Sequence, residues 1–281
     1  MKLSIITINR NNALGLEKTL QSVASQTFKE FEYIIIDGAS SDGSVDIIMS
    51  FRVQFDHLKW VSEPDSGIYN AMNKGVCMAT GDYVQVLNSG DCLAAPNVTG
   101  RMLSIIERYS CPSILYGNMT KCFPDGKKLC DKSFEGREIT MLDMYMSTLN
   151  HDPTYIRRDL FKKYGYYDES LKIVSDWKWF LQAIVMGGEK PQYADVDVTL
   201  FDMSGISETN KELDNAERKF VLEQLLPRTI RVDYEQYAFL IEQMRRLQRH
   251  TWSYRLVWLM ERCLFKVEKM KQKRYKTIKY L

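Results

Sequence analysis

No run of apolar residues in this sequence reaches the ~18–20 needed to cross a bilayer as a helix. The opening stretch, MKLSIITINRNN, interrupts its apolar residues too soon to read as a secretory leader. The expectation is a cytosolic chain, free or resting on the inner face of the membrane. The six cysteines form no CxxC pair and none stands at metal spacing from one of the three histidines. Scattered reduced thiols are expected, with a Cys122–Cys130 bridge as the alternative in an oxidising compartment. GxGxxG is missing, which removes the dinucleotide-binding fingerprint. Internal repeats and low-complexity segments are also missing, which removes solenoid architectures.

Neither sign of charge dominates: 38 basic residues against 36 acidic leave a net of +2. That balance hides an asymmetry. Residues 231–281 hold 13 Lys/Arg against 5 Asp/Glu, so the tail is basic and the body acidic. With 281 residues, 45% hydrophobic, the chain can form one large α/β domain with a helical appendix.

The first 90 residues alternate between two periodicities. Leu3–Ile8, Tyr33–Ile36, Leu58–Val61 and Tyr83–Leu87 are short apolar runs that read as buried strands. Between them lie helical stripes: Leu16, Leu20, Val23 and Ala24, then Ile47, Ile48, Phe51 and Phe55, then Ile68, Met72 and Val76. Asn11 or Asn12 is placed to cap the first helix. This order predicts a largely parallel sheet with helices on both faces. Beyond residue 95 the pattern is mixed. Pro124-Asp125-Gly126 marks a hairpin turn, and Trp177, Phe180, Leu181 and Ile184 mark a helix beginning near Ser175-Asp176 and ended by Gly187-Gly188. Val196–Met203 reads as a strand and the residues from about 210 onward as helix.

Ligands of such sheets collect beyond the carboxyl ends of the strands. Four successive strands end here in polar, mostly glycine-bearing loops, which read as one site. Asp37, with Ser40 in the loop Asp37–Ser44, can accept from a base N–H or a ribose hydroxyl, or can form an Asx turn that starts the next helix. Asn88-Ser89-Gly90-Asp91 supplies hard oxygens suited to Mg²⁺ or Mn²⁺ shared with a diphosphate, or is a polar turn. Asp65 sits in a turn, and Lys74, two helical turns beyond Gly67, can reach a phosphate, pair with Asp65 or stay solvated. His151 precedes another short apolar element. Asp176 is either a base or a carboxylate favoured at a helix start, and Trp177 and Trp179 are candidates for an apolar surround that tunes it.

SIITINRNN, IIIDGASSDGS, SEPDSGIYNAMNKG, GDYVQVLNSGD, HDPTYIRRDLFKKYGYYDES and SDWKWFL, in this order, resemble the family 2 glycosyltransferases of GT-A fold, above all bacterial enzymes of O-antigen and capsule assembly. The resemblance covers about residues 1–205. It implies a GT-A domain over 1–205 (nucleotide-sugar half 1–95, acceptor half 96–205) and a basic helical extension over 206–281. It implies inverting transfer from a UDP-sugar, with Mn²⁺ or Mg²⁺ as cofactor and a saccharide or polyprenyl-diphosphate-linked saccharide as acceptor. By residue, Thr7, Asn9 and Arg10 lie near the nucleoside and Asp37 contacts uracil. Asp65 and Lys74 border the nucleotide, Asp91 holds the metal, Asp176 is the base, and His151 lines the acceptor or diphosphate side. Ser204-Gly205-Ile206-Ser207 resembles a loop that closes such sites. The chain departs from the family at Asn88, where the usual Asp-x-Asp motif has its first acid, at Asn70, often Asp, and at Asp152, often Gln. A non-catalytic scaffold of the same fold and a sugar nucleotidyltransferase are the competing readings. The tail 245–281 interleaves 12 Lys/Arg with Trp252, Trp258, Leu264 and Phe265, which suits an anionic membrane surface or a helix packed on the body. Nucleic acid is not expected as a partner, because no recognised binding module accompanies the charge.

Overall fold

A computed structural model describes residues 2–203, 210–249 and 256–260. The chain divides into two compact units, Met1–Gln224 and Leu225–Leu281. In the first, β1 (Leu3–Asn9), β2 (Phe31–Asp37), β3 (Leu58–Ser62) and β4 (Tyr83–Val86) are joined by α1 (Ala13–Ala24), α2 (Ser44–Phe51) and α3 (Ile68–Met78). All three pairings among these strands are parallel. Every residue of β1 and nearly every residue of β2 is buried, as continuous apolar runs require when helices cover both faces. Asn12 caps α1, its side chain accepting from the Gly15 N–H.

Beyond β4 the chain adds β5 (Cys92–Leu93), α4 (Val98–Arg108), β6 (Ile114–Cys122), β7 (Lys128–Asp131), α5 (Met141–Met146), β8 (Thr154–Arg157), α6 (Asp159–Tyr164), α7 (Ser175–Phe180) and β9 (Gln192–Asp202). The nine-stranded sheet runs β3-β2-β1-β4-β8-β6-β9-β5, with β7 hairpinned onto β6. It is mixed, because β8 enters antiparallel to both β4 and β6. Register pairs Cys130 with Thr120 rather than with Cys122, and both cysteines are free thiols, so the hairpin carries no disulfide. α7 does not continue as a regular helix to Gly187: its last stretch, Leu181–Met186, is a π-helix.

α8 (Lys211–Leu225) and α9 (Arg228–Arg249) follow. The first unit extends to Gln224, so almost all of α8 belongs with the sheet. Ser204–Ser207 and most of 245–281 lie outside the described residues. No helix among the described residues is long and apolar enough to cross a membrane.

Candidate active site

The register of the parallel strands lines up their last residues: Asn9 beside Asp37, and Asp37 beside Ser62. Asp37 is fully buried and its carboxylate is filled from within. One oxygen accepts from the Asn9 amide (2.8 Å) and the Ser40 hydroxyl (2.6 Å), the other from the Ser40 N–H (2.9 Å) and the Ser62 hydroxyl (2.6 Å). Burial works to raise its pKa, but these bonds outweigh it and hold the group ionised. Asp37 anchors the loop that presents Asn9 and Ser40, and a carboxylate with four donors has no acceptor position left.

Thr7 is also displaced from its expected role. It is fully buried, and its hydroxyl shares a hydrogen bond with that of Tyr33 in the core. Lys74 turns from the cleft, pairing with Glu63 at 2.7 Å and donating to the Pro64 carbonyl at 3.1 Å. Asp65 and Arg10 do line the cleft, 3.8 Å apart, and Gly38 makes room for them. A Cβ on Gly38 would stand 2.2 Å from Asp65 Oδ2, so no other residue fits there without moving Asp65.

A cleft of about 850 Å³ opens over these strand ends. Its floor joins Asn88, Asp91, His151, Asp152 and Asp176, which arrive from three separate segments. His151 is the hub. Its Nδ1 lies 3.1 Å from Asp176 Oδ2, and its Nε2 lies 3.3 Å from Asp152 Oδ1 and 3.2 Å from the Asn88 amide. Burial alone would depress its pKa, but the carboxylates of Asp152 and Asp176 overcome this and raise it to about 9. The imidazole is thus a cation at neutral pH. Asp176 responds in kind. Burial works to raise its pKa, but the His151 charge and a 2.9 Å bond from the Tyr69 hydroxyl outweigh it, and the net shift is downward. The carboxylate tuning expected from Trp177 and Trp179 is therefore supplied by His151 and Tyr69. Trp177 lines the cleft with its indole N–H on the Met144 carbonyl, and Arg218 of α8 stacks over its ring at 4.6 Å. Trp179 is buried elsewhere, bonded to the Gly165 carbonyl.

Asp91 and Asp152 meet beneath the cleft as hydrogen-bonded carboxyl groups. One Asp91 oxygen accepts from the Asp202 N–H at 2.9 Å. Burial first, and then the Asp152 charge, push the Asp91 pKa well above the usual carboxylate range. Asp152 Oδ1 has only the His151 ring nitrogen at 3.3 Å beside it, and Asn88 Oδ1 is buried without a hydrogen-bond partner. An unsatisfied hard oxygen beside a crowded carboxylate pair is the donor set a Mg²⁺ or Mn²⁺ ion prefers. No group of three or more Asp, Glu, His or Cys among the described residues forms a complete metal site, so a bound ion would need oxygens from its ligand as well.

Sequence reasoning missed Tyr69 and Asn73. In SEPDSGIYNAMNKG only Asp65 and Lys74 are assigned to the nucleotide by sequence, yet three other side chains of the motif hold the segment before α7. The single Tyr69 O–H is shared between two acceptors, the Ile173 carbonyl at 2.5 Å and Asp176 Oδ1 at 2.9 Å. Asn73 exchanges two bonds with the Tyr167 backbone, and Asn70 reaches Glu169 at 2.9 Å. The signal was available in the spacing, since Tyr69, Asn73 and Val76 share one helix face.

A family model described as Glycosyl transferase family 2 matches residues 4–165. The chain is 27% identical over 210 residues to a PGL/p-HBAD biosynthesis glycosyltransferase of Mycobacterium bovis, covering 73% of this chain and 79% of that one. It is 29% identical over 187 residues to an uncharacterised glycosyltransferase of Mycobacterium tuberculosis, covering 65% and 69%. Among solved structures, S. aureus TarS 1–349 in complex with UDP-GlcNAc aligns with a TM-score of 0.61 at 21% identity, over 72% of this chain and 58% of that one. The mannosyltransferase PcManGT of Pyrobaculum calidifontis, in complex with GDP-Man and Mn²⁺, aligns with a TM-score of 0.56 at 15% identity, over 71% and 56%. The chain thus spans under two thirds of these solved structures, and the likeness to them is one of fold. Strand order, helix placement and family match agree: this chain is a glycosyltransferase of GT-A fold and belongs to glycosyl transferase family 2.

Proposed function

We propose that the chain transfers a hexose or N-acetylhexosamine from a UDP-sugar to a sugar hydroxyl with inversion. The observation that carries this reading is the 3.1 Å pairing of Asp176 Oδ2 with His151 Nδ1 on the floor of the cleft. A carboxylate kept ionised by a fixed cation is ready to take a proton at neutral pH. Asp176 accepts the proton of the acceptor hydroxyl, whose oxygen forms its bond to the anomeric carbon as the bond to UDP breaks on the opposite face. His151 holds Asp176 in place and adds positive charge near the departing diphosphate. Asn9, Arg10, Ser40 and Asp65 border the nucleoside end, and Trp177 borders the acceptor end. Asp91 and Asp152, with Asn88 beside them, would hold Mg²⁺ or Mn²⁺, which when bound supplies positive charge to the leaving diphosphate. TarS and PcManGT, solved with UDP-GlcNAc and with GDP-Man and Mn²⁺, support a nucleotide-sugar donor by analogy of fold.

UDP release from UDP-glucose, UDP-galactose and their N-acetyl forms, with and without Mn²⁺, tests this directly. One donor is expected to turn over slowly and only with the metal. Absence of any UDP binding would remove the donor assignment and bring forward a non-catalytic scaffold.

A lipid-linked acceptor in cell-surface polysaccharide assembly is the second part of the proposal. It rests on the basic, aromatic composition of residues 245–281. The full chain is expected to pellet with phosphatidylglycerol vesicles, and a chain ending at residue 244 is expected to stay in the supernatant. Equal pelleting of both would end this part.

A further inference from the structure

We infer that Glu217, on α8, is a positioning residue for the base, an inference that rests on the assignment of Asp176 above. Residues 165–174 carry the chain from α6 to α7 and deliver Asp176 to the cleft. α3 grips this segment from one side through Tyr69, Asn70 and Asn73. Glu217 grips it from the other. Its carboxylate accepts from three consecutive backbone N–H groups: Lys172 at 2.7 Å, Ile173 at 2.9 Å and Val174 at 3.3 Å. Val174 immediately precedes α7 and offers no side-chain cap, so these donors find their acceptor on a helix more than forty residues further along the chain.

The arrangement carries a free-energy cost that packing alone does not require. Glu217 is 9% exposed and has no ion pair among the described residues. Burying a carboxylate is unfavourable unless donors replace its water, and three amide N–H groups do so here. Val221 and Leu222 already supply the apolar anchor of the same helix. An acid at 217 adds a fixed point at Lys172–Val174, which ends two residues before Asp176. The same helix places Arg218 over Trp177, the neighbour of Asp176. α8 therefore sets the position of the base relative to His151 and Tyr69. A base displaced by ~1 Å can lose ~10²-fold in rate.

The test compares Glu217→Ala and Glu217→Gln with the unaltered chain in three readouts. These are UDP affinity with Mn²⁺ by calorimetry, UDP release from the four UDP-sugars above, and hydrogen exchange at the amides of residues 172–174. Glu217→Ala is expected to lose at least 10-fold in turnover and in protection at 172–174, with UDP affinity within twofold. Glu217→Gln, which keeps one acceptor oxygen, is expected to fall between. Glu217→Ala with more than half of normal turnover overturns the inference, as does a loss of UDP affinity in step with turnover, which marks general damage. Where no donor turns over, unchanged protection at 172–174 overturns it and lost protection with intact UDP affinity supports it. Asp176→Asn is measured alongside. If Asp176→Asn is active, the base assignment falls and this inference falls with it. If Asp176→Asn is inactive and Glu217→Ala is active, the positioning role alone falls.

Discussion

Asp176→Asn is expected to reduce turnover by ~10²–10⁴-fold, the usual contribution of a general base, while UDP affinity stays within about twofold of normal. The substitution keeps the shape of the side chain and an oxygen that can still accept from Tyr69. It removes the charge that takes the proton. The nucleoside end of the cleft, around Asn9, Arg10 and Asp65, has no contact with Asp176, so binding and chemistry separate. The pH profile supplies an independent arm. Asp176 has a lowered pKa, so in the unaltered enzyme the base is ionised at neutral pH and the rate falls only as the medium becomes acid enough to protonate it. His151 is the largest lowering influence, set against burial. His151→Gln removes it, leaving burial and the Asp152 charge to raise the base, and the acid limb moves to higher pH. Retention of more than about a tenth of normal turnover by Asp176→Asn would require another base.

That Asp176 and His151 would share a site was legible because both precede short elements of the acceptor half and both are unusual in their surroundings. Legibility was high wherever burial on two faces writes a continuous apolar run, as in Leu3–Ile8 against the observed Leu3–Asn9. It failed for β5, which has two residues, and for the antiparallel pairing of β8, the short strand expected just after His151. Three of the four polar strand ends gather around one cleft, and the Asp37–Ser44 loop is the one that does not line it. Which of those polar groups face the cleft and which face each other was not legible. Asp37 and Asp91 both follow buried strands. Asp37 meets three donors from Ser40 and Ser62, and a fourth from Asn9, whereas Asp91 meets another carboxyl group. That difference depends on the register between β1, β2 and β3 and on the approach of the 150–152 loop, and neither is a local property. Lys74 was misplaced for the same reason, since Glu63 competes for it. Glu217 gave no signal, because its partners are backbone N–H groups, which every sequence has.

Asp91→Ala is expected to abolish the strengthening of UDP binding by Mn²⁺, and Asp152→Asn to weaken it by at least roughly 10-fold. Loss of even an outer-shell partner commonly costs ~10–100-fold in metal affinity, and Asp152 is in contact with Asp91. Two buried carboxyl groups in contact cannot both ionise without a counter-charge, and the pKa values of both are raised. His151 provides part of that charge, but it lies between Asp152 and Asp176 and is divided between them. A divalent cation held by Asp91 and Asp152 would supply the charge that lets both acids ionise. Asn88 cannot substitute for either, since it brings an oxygen without a charge. The measurement is calorimetric titration with UDP at several Mn²⁺ concentrations and with EDTA, for the unaltered chain and both variants. Asp152→Asn with a normal Mn²⁺ dependence would confine the ion to Asp91 and the diphosphate, and leave Asp152 as a partner of His151 alone. Unaltered enzyme that binds UDP equally well in EDTA would remove the metal from the donor site. The positive charge opposite the diphosphate would then have to come from His151 and Arg10.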